Sequence, residues 1–406
     1  MRHIAFLQNL NLMHSVCFHF QVNQPYILRT YRFFDINQKH DYFDIYQNNY
    51  WIHRLAERSY IPANQMFLDI IEKFGDDVAF SFSISGTTIN LFNEYCPEVI
   101  DSFKKLIATG RVEITGNTFS HSLAALNNKS TFVEQVKLQE KLLHDTFGVK
   151  PTTFCNTEII YSDEIGEWLF ELGYKVVLTE GAKHILGWKS PCYLYCNPFY
   201  TEQKLLLRSY NLCDDITLRF SDKSWSEYPL TAEKYIHFLS GIAPDAQFVN
   251  LFFDYETVGD YQTQETGIFD FFYALFEQLV ASKNFSFIMP KEVLESKEKP
   301  ATLHVPWHIS CSGDEKDISE WLGNELQQEA FDQLYKLEPA YLKSTNEEAK
   351  KAWLRLQNAL YYNFMGTKWF PQSGVKKHFE VYPSPYQAFI NYMNVLNDVK
   401  LQLEKS

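Results

Sequence analysis

The feature that most constrains this chain is an alternation. Eight short apolar runs, rich in β-branched and aromatic residues, lie at 15–20, 78–84, 112–115, 153–156, 175–179, 205–209, 248–253 and 285–289. Between them are stretches of helical periodicity near 52–74, 89–109, 130–147, 163–173, 231–241 and 266–283. Runs of that length read as buried strands. Strand–helix alternation at this spacing predicts a parallel α/β sheet. Thr131-Phe132-Val133-Glu134 has the capping-box pattern that opens a helix. Seven or eight repeats favour closure into a barrel over an open sheet. No Gly-x-Gly-x-x-Gly follows the first run, which argues against a dinucleotide fold.

The chain has 406 residues and is 46% hydrophobic, enough for one large catalytic domain with an appendage. Residues 1–12 read as a tail, because Met13 is a plausible start and the first strand follows at once. The barrel is expected over 13–298. The stretch 181–230 breaks its rhythm with Trp188, Pro191, Tyr193, Trp225 and Pro229, and reads as a loop-rich insertion. From 299 to 406 the pattern becomes helical. Trp321, Leu322, Leu326, Phe331, Leu334 and Leu337 form one stripe, Trp353, Leu356, Leu360 and Phe364 a second, and a third runs from about Tyr386 to Leu403. These predict a helical bundle packed on the barrel. The segment from His304 to Asp317 has the character of a loop that can reach back to the barrel mouth.

Two acids end apolar runs. Glu158 follows Thr153-Phe154-Cys155-Asn156-Thr157, and Asp254 follows Phe248-Val249-Asn250-Leu251-Phe252-Phe253. The C-terminal ends of barrel strands are where catalytic groups sit, and two carboxyl groups are the minimum for cleaving a glycosidic bond. Either acid alone is explained as well by a helix cap or a surface ion pair. The net charge of -13 argues against a nucleic-acid footprint. No run approaches 18 apolar residues, so no membrane span is expected, and the N-terminus makes a poor signal peptide. The 7 cysteines are odd in number and scattered, which suggests a reducing, cytoplasmic setting; only Cys192 and Cys196 have a spacing loosely suited to zinc. No metal or cofactor is expected.

With these residues in view, the chain resembles the α-amylases of glycoside hydrolase family 57. The resemblance rests on Phe20-Gln21-Val22-Asn23-Gln24-Pro25, on Gly110-Arg111-Val112-Glu113-Ile114 with Ser120-His121-Ser122, and on Phe154-Cys155-Asn156-Thr157-Glu158. It continues in Phe253-Asp254-Tyr255-Glu256-Thr257 and from His308 to Asn324. Leu178-Thr179-Glu180-Gly181-Ala182-Lys183-His184 and Trp225-Ser226-Glu227 also fit the amylase subgroup. The resemblance implies a (β/α)7 incomplete TIM barrel with a C-terminal α-helical bundle. It implies a retaining enzyme acting on α-glucan or maltooligosaccharide, with Glu158 as nucleophile and Asp254 as general acid/base. Asp254 should then have a raised pKa, with Glu113 and Glu256 as neighbouring acids able to supply like charge. Asn23, Gln24, His121 and Tyr255 join them as candidate substrate contacts, and Tyr161, Trp188 and Trp225 as rings for sugar stacking.

The chain departs from the pattern at Asn23, where the family has His, and at Cys155, where the nearest subgroup has Arg. Val258, Tyr261 and Cys311-Ser312-Gly313 also differ from the expected residues. These changes sustain a second reading, an amylase-like glucan-binding protein with weak or lost catalysis. A third, a metal-dependent polysaccharide deacetylase, would rest on His304 and His308, but Pro306 stands between them.

Overall fold

The computed structural model describes residues 14–243, 245–368 and 382–405. The expected tail at 1–12 lies outside the described residues. Seven parallel strands follow the predicted runs: β1 His14–Val22, β2 Phe80–Ile84, β3 Val112–Ile114, β4 Thr153–Cys155, β5 Val176–Glu180, β6 Lys204–Arg208 and β7 Phe248–Asp254. The order around the ring is β7, β1, β2, β3, then β4, β5, β6 and back to β7. Two joints are thin. β3 meets β4 only through a parallel bridge between Gly116 and Phe154, with Gly116 N–H on Thr153 O and Cys155 N–H on Gly116 O, both 2.8 Å. A side chain at Gly116 would come 2.6 Å from the Tyr174 hydroxyl, so glycine lets the strands approach here. β6 meets β7 through the single pair Arg208–Asn250. The eighth run forms β8, Phe285–Phe287, which pairs with the first residues of β1 and stays outside the ring.

Alternation along the strands sorts the side chains. Cys17, Cys155, Val176, Leu178, Leu206, Phe248 and Phe252 form one cluster, drawn from five strands of the ring, that fills the barrel interior. The intervening residues pack outward on helices, and Phe20 lies 5.0 Å from Phe67, 5.5 Å from Phe82 and 5.7 Å from Phe253. Two outer cores result. One joins β7, β1, β2 and β3 to helices Ile61–Phe74, Pro97–Ala108 and Ile268–Ser282. The other joins β4, β5 and β6 to the C-terminal helices Glu325–Tyr335, Glu347–Leu356 and Pro385–Glu404. Trp353, fully buried in the second core, stacks on Tyr341 at 4.3 Å and donates its indole N–H to Leu334 O at 3.0 Å.

The 181–230 stretch carries more order than a loop. It contains β6, the helix Tyr210–Thr217 and the short strand Tyr195–Cys196 that pairs antiparallel with β6. The 304–317 segment does return to the barrel mouth: Ile309 and Tyr161 exchange backbone hydrogen bonds, and Cys311 N–H donates to Glu158 O at 3.1 Å. Among the described residues no helix is long and apolar enough to cross a membrane.

Candidate active site

Glu158 is aimed by its backbone. β4 stops at Cys155, and the chain turns through Glu158 at φ 52° and Ile159 at φ 47°. Two successive left-handed residues without glycine, one of them β-branched, are strained by order of 1–3 kcal/mol each. The surroundings hold them there. Asn156 O accepts from Ile159 N–H at 2.9 Å, Thr157 O accepts from Ile160 N–H at 2.9 Å, and the Thr179 hydroxyl donates to Ile159 O at 3.2 Å. The carboxylate is held at both ends. His121 Nε2 lies 2.8 Å from Oε1, and the Cys311 thiol donates to Oε2 at 3.4 Å. His121 is itself left-handed at φ 51°, and its carbonyl accepts from Ala359 N–H at 2.9 Å, so the C-terminal helices buttress the partner of Glu158.

Asp254 ends β7 on its inward face, in register with Gln21 of β1. Burial pushes its carboxyl up to about 6, the Glu158 charge adds to the rise, and Arg208 and His121 oppose it. Glu256 rises further, to about 8, first through burial and then through the Asp254 charge. Its Oε1 accepts from Gln24 Nε2 at 2.8 Å and from the Tyr60 hydroxyl. Gln24 is fixed in turn by Trp51, whose indole N–H donates to Oε1 at 2.9 Å.

A cleft of about 920 Å³ opens at the barrel mouth, with Glu158, Asp254, Arg208, Cys155, Leu360 and Asn363 in its wall. A narrower recess of about 370 Å³ shares Glu158 and Asp254 and adds Asn23, Gln24, Glu256 and Tyr261. The geometry therefore places on the same cavity the Glu158 carboxyl, with a partner at each oxygen, and an Asp254 carboxyl biased toward its protonated form.

Of the candidate substrate contacts, the structure brings Asn23, Gln24, His121 and Glu256 to this site. Asn23 Oδ1 already accepts from Ser85 Oγ at 3.0 Å and Asn358 Nδ2 at 3.1 Å. Five others are corrected. Glu113 points into the barrel below the acids, in register with Ser81, where its Oε2 accepts from Lys291 N–H at 2.9 Å. The like charge that raises Asp254 comes from Glu158, and Glu256 is itself raised by Asp254. Tyr255 follows Asp254 but faces outward into the aromatic core, its hydroxyl on Asn64 Oδ1 at 2.5 Å. Tyr161 is buried with its hydroxyl accepting from Asn197 Nδ2 at 3.0 Å. Trp188 stands 93% exposed on a turn outside the cleft, and Trp225 packs against the outer core under Arg219. None of these five lines the cleft.

Arg208 was not singled out by sequence, although it ends an apolar strand as the two acids do. Its guanidinium pairs with Glu180 at 3.2 Å and Asp214 at 2.9 Å, and its Nε donates to Phe252 O at 3.1 Å. It supplies positive charge at the acids from β6, where Cys155 on β4 supplies none. Lys316, whose ammonium donates to Cys311 O at 3.0 Å, ties the thiol-bearing loop to the same cluster. Leu360 and Asn363 reach the cleft from the C-terminal helices, a placement no local pattern reveals. The deacetylase reading finds no support in the placement of its histidines: His304 pairs with Asp163 at 2.5 Å on the outer surface, and neither His304 nor His308 lines the cleft. Cys192 and Cys196 do not share a ligand cluster; Cys192 Sγ faces the Ser209 hydroxyl at 3.6 Å.

Comparison with known proteins bears on the fold and the family. A protein of Methanocaldococcus jannaschii described as "Putative alpha-amylase" is 32% identical, over 96% of this chain and 85% of its own length. A GH57-type branching enzyme of Pyrococcus horikoshii superimposes with TM-score 0.67 at 13% identity, over 90% of this chain and 88% of that one. A 4-alpha-glucanotransferase of Thermococcus litoralis gives 0.61 at 17% identity, over 86% of this chain; this chain spans 56% of that larger protein. These structural likenesses show a shared fold, the (β/α)7 barrel with helical C-terminal part. Residues 17–306 match the sequence profile of Glycosyl hydrolase family 57, and the chain belongs to that family of glycoside hydrolases.

Proposed function

We propose that this protein is a retaining glycoside hydrolase acting on α-1,4-glucan. In this reading Glu158 attacks the anomeric carbon while Asp254 gives its proton to the departing glycosidic oxygen. The resulting glycosyl–Glu158 ester is then cleaved by water, whose proton passes to the Asp254 carboxylate, so the α-configuration returns. The observation that carries the reading is the unequal pair on one cleft. Glu158 receives a donor at each carboxylate oxygen, whereas Asp254 is kept toward its protonated form by burial and by Glu158 itself. The α-glucan substrate rests on the relatives, described as an alpha-amylase, a branching enzyme and a 4-alpha-glucanotransferase.

The test is incubation of wild type and Glu158→Gln with maltooligosaccharides and soluble starch, with product anomers read by NMR. The expected result is α-anomeric product from the wild type and none from the variant. Initial β-product, or equal activity of the two proteins, would refute the assignment. Binding without any product from the wild type would establish instead the glucan-binding reading, which the substitutions Asn23 and Cys311 favour.

A further inference from the structure

A second cluster of ligating side chains lies behind the Gln24 side of the cleft. His53 stands on the helix Ile45–Leu55, Cys96 links the helices Gly86–Tyr95 and Pro97–Ala108, and Glu98 opens the latter. Cys96 Sγ lies 3.7 Å from His53 Nδ1 and 3.0 Å from Glu98 Oε1, and all three ligand atoms fall within 4.8 Å of one another. Zinc bonds of about 2.3 Å to sulfur and about 2.0–2.2 Å to nitrogen or oxygen, at tetrahedral angles, separate such donors by about 3.5 Å. The two separations from Cys96 Sγ, 3.7 Å and 3.0 Å, lie on either side of that edge length, and the third is under 4.8 Å. Cys96 is buried, His53 half-buried and Glu98 exposed, so the fourth corner opens to solvent.

We propose that His53, Cys96 and Glu98 form a zinc site whose fourth ligand is water. A thiolate, an imidazole and a carboxylate are a donor set that zinc accepts and that calcium or magnesium, which take oxygen ligands, do not. Binding replaces the thiol proton by the metal and releases that proton to solvent. The ion would tie the His53 helix to the Cys96 junction. That same helix carries Trp51, which donates to Gln24, and Arg54, which pairs with Asp260 at 2.6 Å. The site is therefore placed to fix the wall of the cleft that holds Gln24 and Glu256, without touching the reacting groups.

The experiment uses the full chain, purified without a histidine tag and stripped with chelator. Cobalt(II) is titrated as a spectroscopic probe, and zinc is then added in competition. One equivalent of cobalt should give a near-ultraviolet thiolate-to-metal band and the visible bands of tetrahedral geometry, both abolished by zinc. Cys96→Ser should remove the near-ultraviolet band. His53→Gln and Glu98→Gln should each weaken zinc binding at least tenfold, and zinc should raise the melting temperature of the wild type alone. Absence of the thiolate band in the wild type overturns the proposal. So does equal zinc affinity in wild type and His53→Gln, a half-buried substitution whose folding is checked by far-ultraviolet circular dichroism.

Discussion

Glu256 offers a prediction whose size follows from its surroundings. Its carboxyl is buried, faces Asp254, and is displaced from an ordinary 4.5 to about 8. At pH 6 it is therefore protonated, with Oε1 accepting from Gln24 Nε2 and the Tyr60 hydroxyl. Glutamine reproduces that state, since its carbonyl accepts the same two bonds and its amide replaces the O–H. Glu256→Gln should thus change stability little at about pH 4, where the unfolded carboxyl is protonated too, by less than about 0.5 kcal/mol. A carboxyl raised in the folded state contributes stability that is present below its unfolded value and is lost as pH rises through the folded one. For Glu256 that window runs from 4.5 to about 8. At about 1.4 kcal/mol per unit, the wild type should lose roughly 5 kcal/mol across it from this group. The variant carries no such loss. Urea unfolding of both proteins at half-unit steps from about pH 4 to about pH 9 measures the difference. The curves should coincide at the acid end and separate progressively from 4.5 up to about 8, with the glutamine variant the more stable. Parallel curves, or a variant destabilised at every pH, would show that Glu256 is ionised in the folded protein and would refute the reasoning.

Three further outcomes follow from the structure. Arg208→Met leaves Glu180 and Asp214 buried without their cation, so the urea midpoint should fall by an amount equivalent to about 3–5 kcal/mol; with the positive charge gone from Asp254, the alkaline limb of kcat/KM should move to higher pH. Gly259→Ala places a side-chain carbon on the Arg58 carbonyl at a φ of +105°, and thermal unfolding should register a loss of roughly 3 kcal/mol. Trp188→Ala removes an exposed ring outside the cleft, so stability should stay within about 0.5 kcal/mol, and KM for maltooligosaccharides, read from reducing ends released, should stay unchanged.

The strands and the acids at their ends were legible because both signals are local. A continuous apolar run fixes a buried strand, and a charge that closes it must sit at the barrel mouth. By the same logic Arg208 is readable after Leu205-Leu206-Leu207, although a strand-end base has no role in the two-carboxyl scheme. The stacking candidates failed for a different reason. Whether Tyr161 or Trp225 faces a cleft or a core depends on which distant element covers it, and an aromatic residue in a loop carries no periodicity to decide that. Glu113 shows the limit of alternation: its inward face was implied by the strand, but its height in the barrel is set by register with Ser81 and by the approach of Lys291. The contribution of Leu360, Asn363 and Asn358 to the mouth depends on contacts more than 200 residues apart in sequence, such as Asn358 to Asn23.

The two thin joints of the ring divide the barrel into arcs, each backed by its own outer core. Asp254, Gln24 and Glu256 belong to the arc of β7, β1, β2 and β3, while Glu158 and Arg208 belong to the arc of β4, β5 and β6. Asp254 and Glu158, the proposed proton donor and nucleophile, are thus mounted on separate half-shells, like the two jaws of a caliper. Their separation is then set less by either strand than by the sparse hydrogen bonding at the Gly116–Phe154 and Arg208–Asn250 seams. Substitutions that loosen or tighten a seam would change the gauge of the instrument while leaving every group on its jaws intact.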